Sequence, residues 1–329
     1  MSNMKSFHKA TDTNFHSKQG TISSEFKRNW QLWVMIFPML IWLALYGYKP
    51  LWGMLIAFQH YSPFKGISGS DWTGIQNFQE LMFGPNQELF WRAFRNTVII
   101  SLYGLVIGFP IPILLAILIH ELRGVRFKKI IQTVTYAPYF ISEVVVCSLA
   151  LTMLALNTGL INVLAGKVLG FFNIQYTQVQ FMANSDYFRI IYTLVGIWKN
   201  AGFDSIVFFA ALCAIPEELY EAARVDGASR IKQLWHISLP GIMNTIVIML
   251  IIRVGNILNV GYERVLLLYN PGIYDKADIL STFTYRMGIA TNPNYGQSTA
   301  ASLINAVIGF ILVIGTNWLS RKYSETSLW

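Results

Sequence analysis

Six stretches of mostly apolar residues recur along the chain, and each is about as long as a helix that crosses a bilayer. Apolar runs of this length, separated by polar segments, predict membrane-spanning helices rather than the core of a soluble domain. The predicted spans cover residues 30–48, 97–119, 130–154, 190–215, 237–252 and 300–318.

The composition supports this prediction. Of the 329 residues, 54% are hydrophobic and only 13% are charged, whereas a soluble domain averages about 25% charged residues. The mean hydropathy is +0.44, and a chain of this size could not bury so much apolar surface in a soluble fold. The predicted fold class is an all-α integral membrane protein with six transmembrane helices.

The Lys and Arg residues are distributed unevenly between the connecting segments. If the N-terminus lies inside the cell, the inner segments carry nearly three times the density of these residues found in the outer ones. Such a bias marks the cytoplasmic side, so both termini are predicted to be cytoplasmic. The net charge of +8 is assigned to this bias and to contact with membrane lipid, not to nucleic acid. The predicted parts are a cytoplasmic tail (1–29), a transmembrane domain (30–318) and a second cytoplasmic tail (319–329).

The segment between the fourth and fifth predicted spans, residues 216–240, differs from the other connections. Pro216 and the acidic residues after it are typical of the first turn of a helix, and Gly227 is typical of the position after a helix end. The pattern predicts a short amphipathic helix on the cytoplasmic face, with a return to the membrane at Leu239 and Pro240. These residues alone are equally consistent with a solvated helix that only links two spans.

Within this segment a run of residues resembles the EAA signature of the type I ABC importer permeases, E-A-A-x3-G-x9-I-x-L-P. The matching positions are Glu221, Ala222, Ala223, Gly227, Ile237, Leu239 and Pro240. In that family the segment is the coupling helix, which docks in a groove of the nucleotide-binding subunit. The resemblance implies that Glu221 contacts an ATPase and that the small residues allow close seating. The residues assigned to ATPase coupling are Glu218, Glu221, Ala222, Ala223, Asp226, Gly227, Leu239 and Pro240.

Residues 49–53, 66–70, 72, 74–78, 136–142 and 198–202 are similar to a subgroup of these permeases that works with a lipoprotein and carries complex saccharides, and Asp71 departs from its pattern. The resemblance implies the type I transmembrane fold, with extracytoplasmic loop caps, in the bacterial cytoplasmic membrane. It implies ATP-driven import of an oligosaccharide or polysaccharide fragment by alternating access. An acidic fragment, derived from alginate or pectin for example, would suit the positive charges of Lys199 and Arg253 within the predicted spans. A neutral fragment is left open. The implied partners are a second homologous permease, an ABC ATPase dimer and an extracytoplasmic solute-binding lipoprotein.

The chain carries no recognisable nucleotide site of its own. A P-loop needs G-x4-G-K-[ST]. At the Gly166-Lys167 pair, Ile161 stands in place of the first glycine and Val168 follows the lysine. ATP and Mg are therefore expected on the partner ATPase, and no catalytic, cofactor-binding or metal-binding residue is assigned to this chain.

Ionisable residues within spans are costly and mark candidate functional positions. Sugar sites combine apolar or aromatic surface with a few polar groups that fix orientation, and the fourth span supplies such a mixture. Structural ion pairs and ordinary helix packing are the alternatives. The ionisable residues in question are Glu143, Lys199, Asp204 and Arg253. The candidates for the substrate path are Trp198, Lys199, Asn200, Phe203, Asp204, Asn244 and Arg253.

Other functions compete with this prediction. A type I permease for a non-sugar solute would share the EAA segment and is the main alternative, and an ATP-independent secondary transporter is a less favoured one. A membrane-embedded metalloprotease is disfavoured because His120-Glu121 begins the motif H-E-x-x-H, but Gly124 replaces the second histidine. The prediction is a transport subunit rather than an enzyme.

Overall fold

The computed structural model describes residues 29–289 and 293–323. The predicted N-terminal tail lies outside these residues except for Asn29, and so does the predicted C-terminal tail beyond residue 323. Within the described residues the regular structure is almost entirely helical. The strands found there are β1 (Gln59–His60) and β2 (Asp71–Trp72), which pair antiparallel with Gln59 opposite Trp72.

The helices follow one another along the whole described chain. In chain order the α-helices are α1 (Trp30–Trp42), α2 (Gly66–Gly69), α3 (Gln76–Phe83), α4 (Gln87–Tyr103), α5 (Pro110–Glu121), α6 (Val125–Tyr136), α7 (Glu143–Met153), α8 (Leu160–Phe171), α9 (Ser185–Cys213), α10 (Glu217–Val225), α11 (Arg230–Gln233), α12 (Leu239–Gly241), α13 (Met243–Gly255), α14 (Tyr262–Leu268), α15 (Tyr274–Ala277), α16 (Leu280–Ile289) and α17 (Tyr295–Tyr323). Short 3-10 helices cover Lys49–Phe58, Ala137–Phe140 and Pro271–Ile273, and π-helical turns cover Leu43–Tyr48, Gly104–Gly108 and Leu234–Ser238.

Four stretches of the described chain are long and apolar enough to cross a membrane. They are Trp30–Phe58, Gln87–Glu121, Ser185–Cys213 and Tyr295–Trp318. Two further candidates are bent pairs of helices. They are Val125–Phe140 with Glu143–Met153, bent by 100°, and Arg230–Gly241 with Met243–Gly255, bent by 59°. If each bent pair is one span, the described residues contain up to six spans, as the apolar pattern predicts.

The contacts divide the chain after Gly53 into two compact units. In the first, described from Asn29 onward, α1 continues into the π-helical turn Leu43–Tyr48, and the side chains up to Trp52 are exposed. Exposed tryptophan and tyrosine side chains are frequent here, and the rings of Trp42 and Tyr46 lie 5.8 Å apart. This composition suits a helix whose surroundings are lipid or another protein.

In the second unit, from Met54 onward, the sharp bend between α6 and α7 has a local cause. Pro138 lies in the 3-10 turn that ends α6, and Ile141 is extended. Ser142 then begins α7, since its side chain accepts a hydrogen bond from the Val145 backbone N–H at 3.4 Å. Because the helix restarts there, Glu143 lies in the first turn of α7, where its carboxylate turns toward neighbouring helices.

Helix α9 is the central packing element of this unit. Its residues Phe208 and Leu212 are buried against Ala116 and Ile117 of α5. A Cβ atom at Gly202 would overlap the Thr135 carbonyl oxygen of α6. Helices α6 and α9 therefore approach to backbone contact only because residue 202 is glycine.

A compact cap surrounds the start of α17. Asn77 is buried, and its Nδ2 donates to the carbonyls of Ala57 and Gln59 at 2.9 and 3.0 Å. Asp278 is fully buried and accepts two hydrogen bonds from Arg286, at 2.9 and 2.5 Å. Burial alone would lower the pKa of the Arg286 guanidinium, but the bonds to Asp278 raise it above its ordinary value, so the pair stays ionised.

Candidate transport cavity and coupling segment

A polar cavity of about 290 Å³ lies among helices α4, α9, α13 and α14 in the second unit. The π-helical turn Gly104–Gly108 forms part of its wall, where small residues leave room for longer side chains opposite. A Cβ atom on Gly108 would lie 3.9 Å from Nη2 of Arg253. The polar residues that line the cavity are Ser101, Tyr192, Thr193, Asn200, Asp204, Arg253, Asn256, Asn259 and Arg264.

The structure brings three of the predicted path residues together in this cavity: Asn200, Asp204 and Arg253. Asn200 and Asp204 lie one helical turn apart on α9, and Arg253 comes from the last turn of α13. Among the described residues, the side chains of Asp204 and Arg253 make neither a hydrogen bond nor an ion pair within 4.0 Å. The Asp204 carboxylate and the Arg253 guanidinium therefore face the cavity without a hydrogen-bonding partner among these residues.

Lys199 lies beside the cavity wall and takes part in an ion triad. Its Nζ donates to Oε2 of Glu143, and Nε of Arg264 donates to Oε1 of the same carboxylate at 2.5 Å. We call Glu143, Lys199 and Arg264 the ion triad. Its side chains are only 12–13% exposed, and it joins α7, α9 and α14. The charges at Glu143 and Lys199 were visible in the sequence.

Arg264 was missed by the sequence analysis. It lies on α14, within a region predicted to be an outer loop, so it was not among the ionisable residues of the predicted spans. The apolar residues that follow it, Val265 and Leu268, are buried in the structure. They would have indicated a helix packed into the protein rather than an exposed loop.

The remaining path candidates lie outside the cavity. Trp198 is 48% exposed. Phe203 stacks on Tyr139, with ring centroids 3.8 Å apart and an interplanar angle of 5°. Asn244 is exposed near the start of α13. These residues lie on surfaces of the chain and not in the wall formed by Asn200, Asp204 and Arg253.

The predicted coupling segment forms an exposed helix, α10, without a buried residue along its described length. The helix ends in a Schellman motif: the Gly227 N–H donates to the Arg224 carbonyl at 3.1 Å, and the Ala228 N–H donates to the Ala223 carbonyl at 2.9 Å. Gly227 has φ +70°, a conformation that side chains disfavour. The glycine of the signature is thus required by the helix end.

The EAA residues differ in where they face. Glu218, Glu221, Ala222 and Asp226 are exposed, and Ala223 is half-buried. The Glu221 carboxylate lies 3.8 Å from Arg224, with both side chains more than half exposed. Leu239, in contrast, packs on the core cluster that contains Leu212 and Ile242. Pro240 is exposed in the short helix α12.

Polar contacts anchor the segment to the membrane helices. The hydroxyls of Tyr220 and Ser238 lie 3.0 Å apart, and Ser238 is buried. Arg230 lies 3.8 Å from Glu121 at the end of α5. A displacement of α10 would therefore pull on the chain leading into α13 and on the end of α5.

The fold and the polar cavity together define a membrane permease. The chain belongs to the family of binding-protein-dependent transport system inner membrane components, and the match to this family covers residues 91–325. It is accordingly the permease subunit of an ABC importer in the bacterial inner membrane, a transport subunit rather than an enzyme, as predicted. In this class ATP is used by a separate ATPase component.

Individual relatives are similar over nearly the whole chain. Protein LplB of Bacillus subtilis (strain 168) is 38% identical over 302 residues, which cover 92% of each chain. The polygalacturonan/rhamnogalacturonan transport system permease protein YteP of the same strain is 41% identical over 298 residues, covering 91% of this chain and 90% of that protein.

Two solved structures are also similar. A chain of a bacterial ABC transporter that imports the acidic polysaccharide alginate superposes with a TM-score of 0.81 at 39% identity, covering 92% of this chain and 99% of that one. The alginate transporter in complex with a periplasmic protein carrying an alginate pentasaccharide gives 0.82 at 38% identity, covering 93% and 99%. These similarities confirm the predicted type I permease fold.

Proposed function

We propose that this chain imports an oligosaccharide that carries acidic sugar units, and that Asn200, Asp204 and Arg253 line its path. The observation that carries the proposal is the polar cavity, in which a carboxylate and a guanidinium face open space between membrane helices. Charged side chains between membrane-spanning helices are costly and commonly mark substrate or ion pathways. The relatives named for polygalacturonan, rhamnogalacturonan and alginate agree with such a cargo.

The cavity has the chemistry that a sugar needs. Hydroxyl groups both donate and accept hydrogen bonds, and the asparagine amides beside Asp204 and Arg253 offer both functions. Trp198, Lys199, Phe203 and Asn244 stay candidates for parts of the path outside this cavity.

The exposed face of α10 is the proposed contact with an ATPase. Glu221 projects from this face, and Ala222 allows a partner to approach closely. Glu218 and Asp226 add charge at the two ends of the helix, while Ala223 and Gly227 form its end. Leu239 and Pro240 connect this surface to the membrane core, so that they act as anchors for the movement of α10.

The proposed complex contains a second homologous permease, two ATPase subunits that bind ATP and Mg, and an extracytoplasmic solute-binding lipoprotein. This chain itself binds no cofactor, and both of its termini lie in the cytoplasm. ATP binding closes the ATPase dimer and moves α10, which opens the path outward, and hydrolysis resets it. The loaded binding protein must prefer one permease state, since only differential affinity can shift the equilibrium.

The test is a pull-down of the tagged chain from its native membranes, with wild type, Glu221→Lys and Glu88→Lys compared. Glu88 is an exposed carboxylate in the first turn of α4 and serves as the matched control. We expect an ATPase and a second six-span protein to co-purify with wild type and with Glu88→Lys, and the ATPase to be lost from Glu221→Lys. If wild type and both variants are purified without any ATPase, the proposal is contradicted and an ATP-independent transporter is favoured.

The same cells test the cargo. Uptake of a labelled acidic oligosaccharide should depend on the co-purified ATPase and survive dissipation of the proton gradient while ATP is maintained. Uptake that follows an ion gradient would contradict ATP coupling. Uptake of non-sugar solutes alone would support the assignment as a permease but contradict the proposed saccharide cargo.

A further inference from the structure

Arg264 presents a partly unused guanidinium to the cavity. Its Nε–H is engaged by Glu143 at 2.5 Å, while the residue also lines the cavity. Among the described residues, no further hydrogen bond involves its terminal Nη groups. Two adjacent Nη groups in a plane match the two oxygens of a carboxylate, which makes arginine suited to bidentate binding.

The orientation of this guanidinium is set by its neighbours. A Cβ atom at position 196 would overlap Nη1 of Arg264, so Gly196 provides the space that the group occupies. The Arg264 guanidinium carbon lies 5.2 Å from the centre of the Tyr192 ring. Tyr192 is itself held by a hydrogen bond from the Gly261 N–H at 3.0 Å. The group is therefore pre-organised before any ligand arrives.

The charges around the cavity do not balance. In the ion triad one carboxylate is paired with two cations, and Asp204 and Arg253 both line the cavity. Counted over the described cavity wall and the ion triad, the cations Lys199, Arg253 and Arg264 exceed the carboxylates Glu143 and Asp204 by one. An excess positive charge in a low-dielectric environment favours an anionic ligand.

We propose that Arg264 is a specificity-determining residue that binds the carboxylate of a uronic acid unit through its Nη groups. Glu143 and Gly196 are its positioning residues: Glu143 holds Nε, and Gly196 leaves room for Nη1. This inference rests on the proposed function, because it assigns the acidic preference of the same cavity to one side chain.

The experiment measures direct binding to the complete importer, purified with its ATPase in lipid nanodiscs and without the binding protein. Saturation-transfer NMR compares trigalacturonate with the trisaccharide in which each carboxylate is reduced to a primary alcohol. The variants are Arg264→Gln, Arg264→Lys and Lys167→Gln. Lys167 is an exposed cation on α8 and does not line the cavity, so its variant controls for lost charge alone.

We expect wild type and Lys167→Gln to bind trigalacturonate about 10- to 100-fold more tightly than the reduced trisaccharide, the range for a hydrogen bond to a charged group. Arg264→Gln should abolish this preference while binding the reduced probe as wild type does. Arg264→Lys retains the positive charge but lacks the two adjacent Nη groups, so it should keep a smaller preference for trigalacturonate. Gly196→Ala should displace Nη1 and also reduce the preference.

Equal affinity of wild type for the two probes, or no binding of either, would overturn the inference. A preference that survives in Arg264→Gln would also overturn it. ATP hydrolysis by each purified variant reports intact assembly. Because that readout and the ATPase co-purification are independent of the probes, failure of the Arg264 assignment is distinguishable from failure of the proposed import function.

Discussion

The ion triad and the coupling segment place charged residues in opposite environments. The side chains of the triad are 12–13% exposed and share one carboxylate. On α10, Glu221 and Arg224 are 65% and 57% exposed and lie 3.8 Å apart. In the first set the carboxylate is paired with two cations of the same chain, whereas both side chains of the second remain largely exposed.

The difference explains how each set is arranged along the sequence. A buried charge needs an opposite charge from a neighbouring helix, so members of the triad are separated by 56 and 121 residues. The proposed docking surface lies on a single helix, so its residues are nearly contiguous in the sequence. A short motif can therefore point to such a surface, whereas it cannot point to an ion pair between distant helices.

The largest expected effect comes from removing the shared carboxylate of the triad. Glu143→Leu would leave Lys199 and Arg264 buried without their anion, and should destabilise the chain by about 3–5 kcal/mol. Unfolding of the purified importer in mixed detergent micelles measures this loss. A change below about 1 kcal/mol would mean that the triad is solvated, since exposed pairs contribute in that range.

A smaller effect is expected at the end of α10. Apart from Gly227 and its two chain neighbours, no heavy atom of the described chain lies within 4 Å of the position that a Cβ atom on Gly227 would take, so its replacement is limited by backbone conformation. Gly227→Val should cost about 1–2 kcal/mol locally and uncouple ATP hydrolysis from uptake. Gly227→Asn, which tolerates positive φ, should retain most coupling. The ratio of ATP hydrolysed to sugar imported is the measurement, and equal coupling in the two variants would contradict this role.

Loss of the Tyr220 hydroxyl tests the link between α10 and the chain that leads into α13. Tyr220→Phe removes a hydrogen bond to the buried Ser238 and should cost about 0.5–1.5 kcal/mol. Coupling should weaken while ATPase co-purification is retained. Ser238→Ala should have a similar effect, and the double variant should cost less than the two single changes together. Strict additivity would show that the hydroxyls act independently.

The smallest stability change is expected at Glu221. Glu221→Leu matches Glu143→Leu in chemistry but removes an exposed carboxylate, so stability should change by less than about 0.5 kcal/mol. Binding of the ATPase should nevertheless fall sharply. Loss of stability comparable to that of Glu143→Leu would show that Glu221 acts within this chain and would remove the contrast between the two regions.

Much of the fold could be predicted because it follows local rules. Apolar length indicated the spans, and the bend after Pro138 follows from a helix that ends and restarts within a few residues. The end of α10 at Gly227 was predicted from the same kind of local signal. The cavity could not be predicted in this way, because Asn200 and Arg253 lie on different helices whose rotation depends on packing.

The sequence by itself determined the membrane class, the positions of the apolar helices and the permease family, since these depend on composition and on one contiguous motif. Only the tertiary structure decided that Lys199 pairs with Glu143, that Arg264 joins them, and that Asp204 and Arg253 share a cavity. The physical reason is that ionic contacts between helices depend on how the helices pack. Gly202 and Gly196 set that packing through the space they leave. The spacing of residues along the sequence does not show which helices pack together.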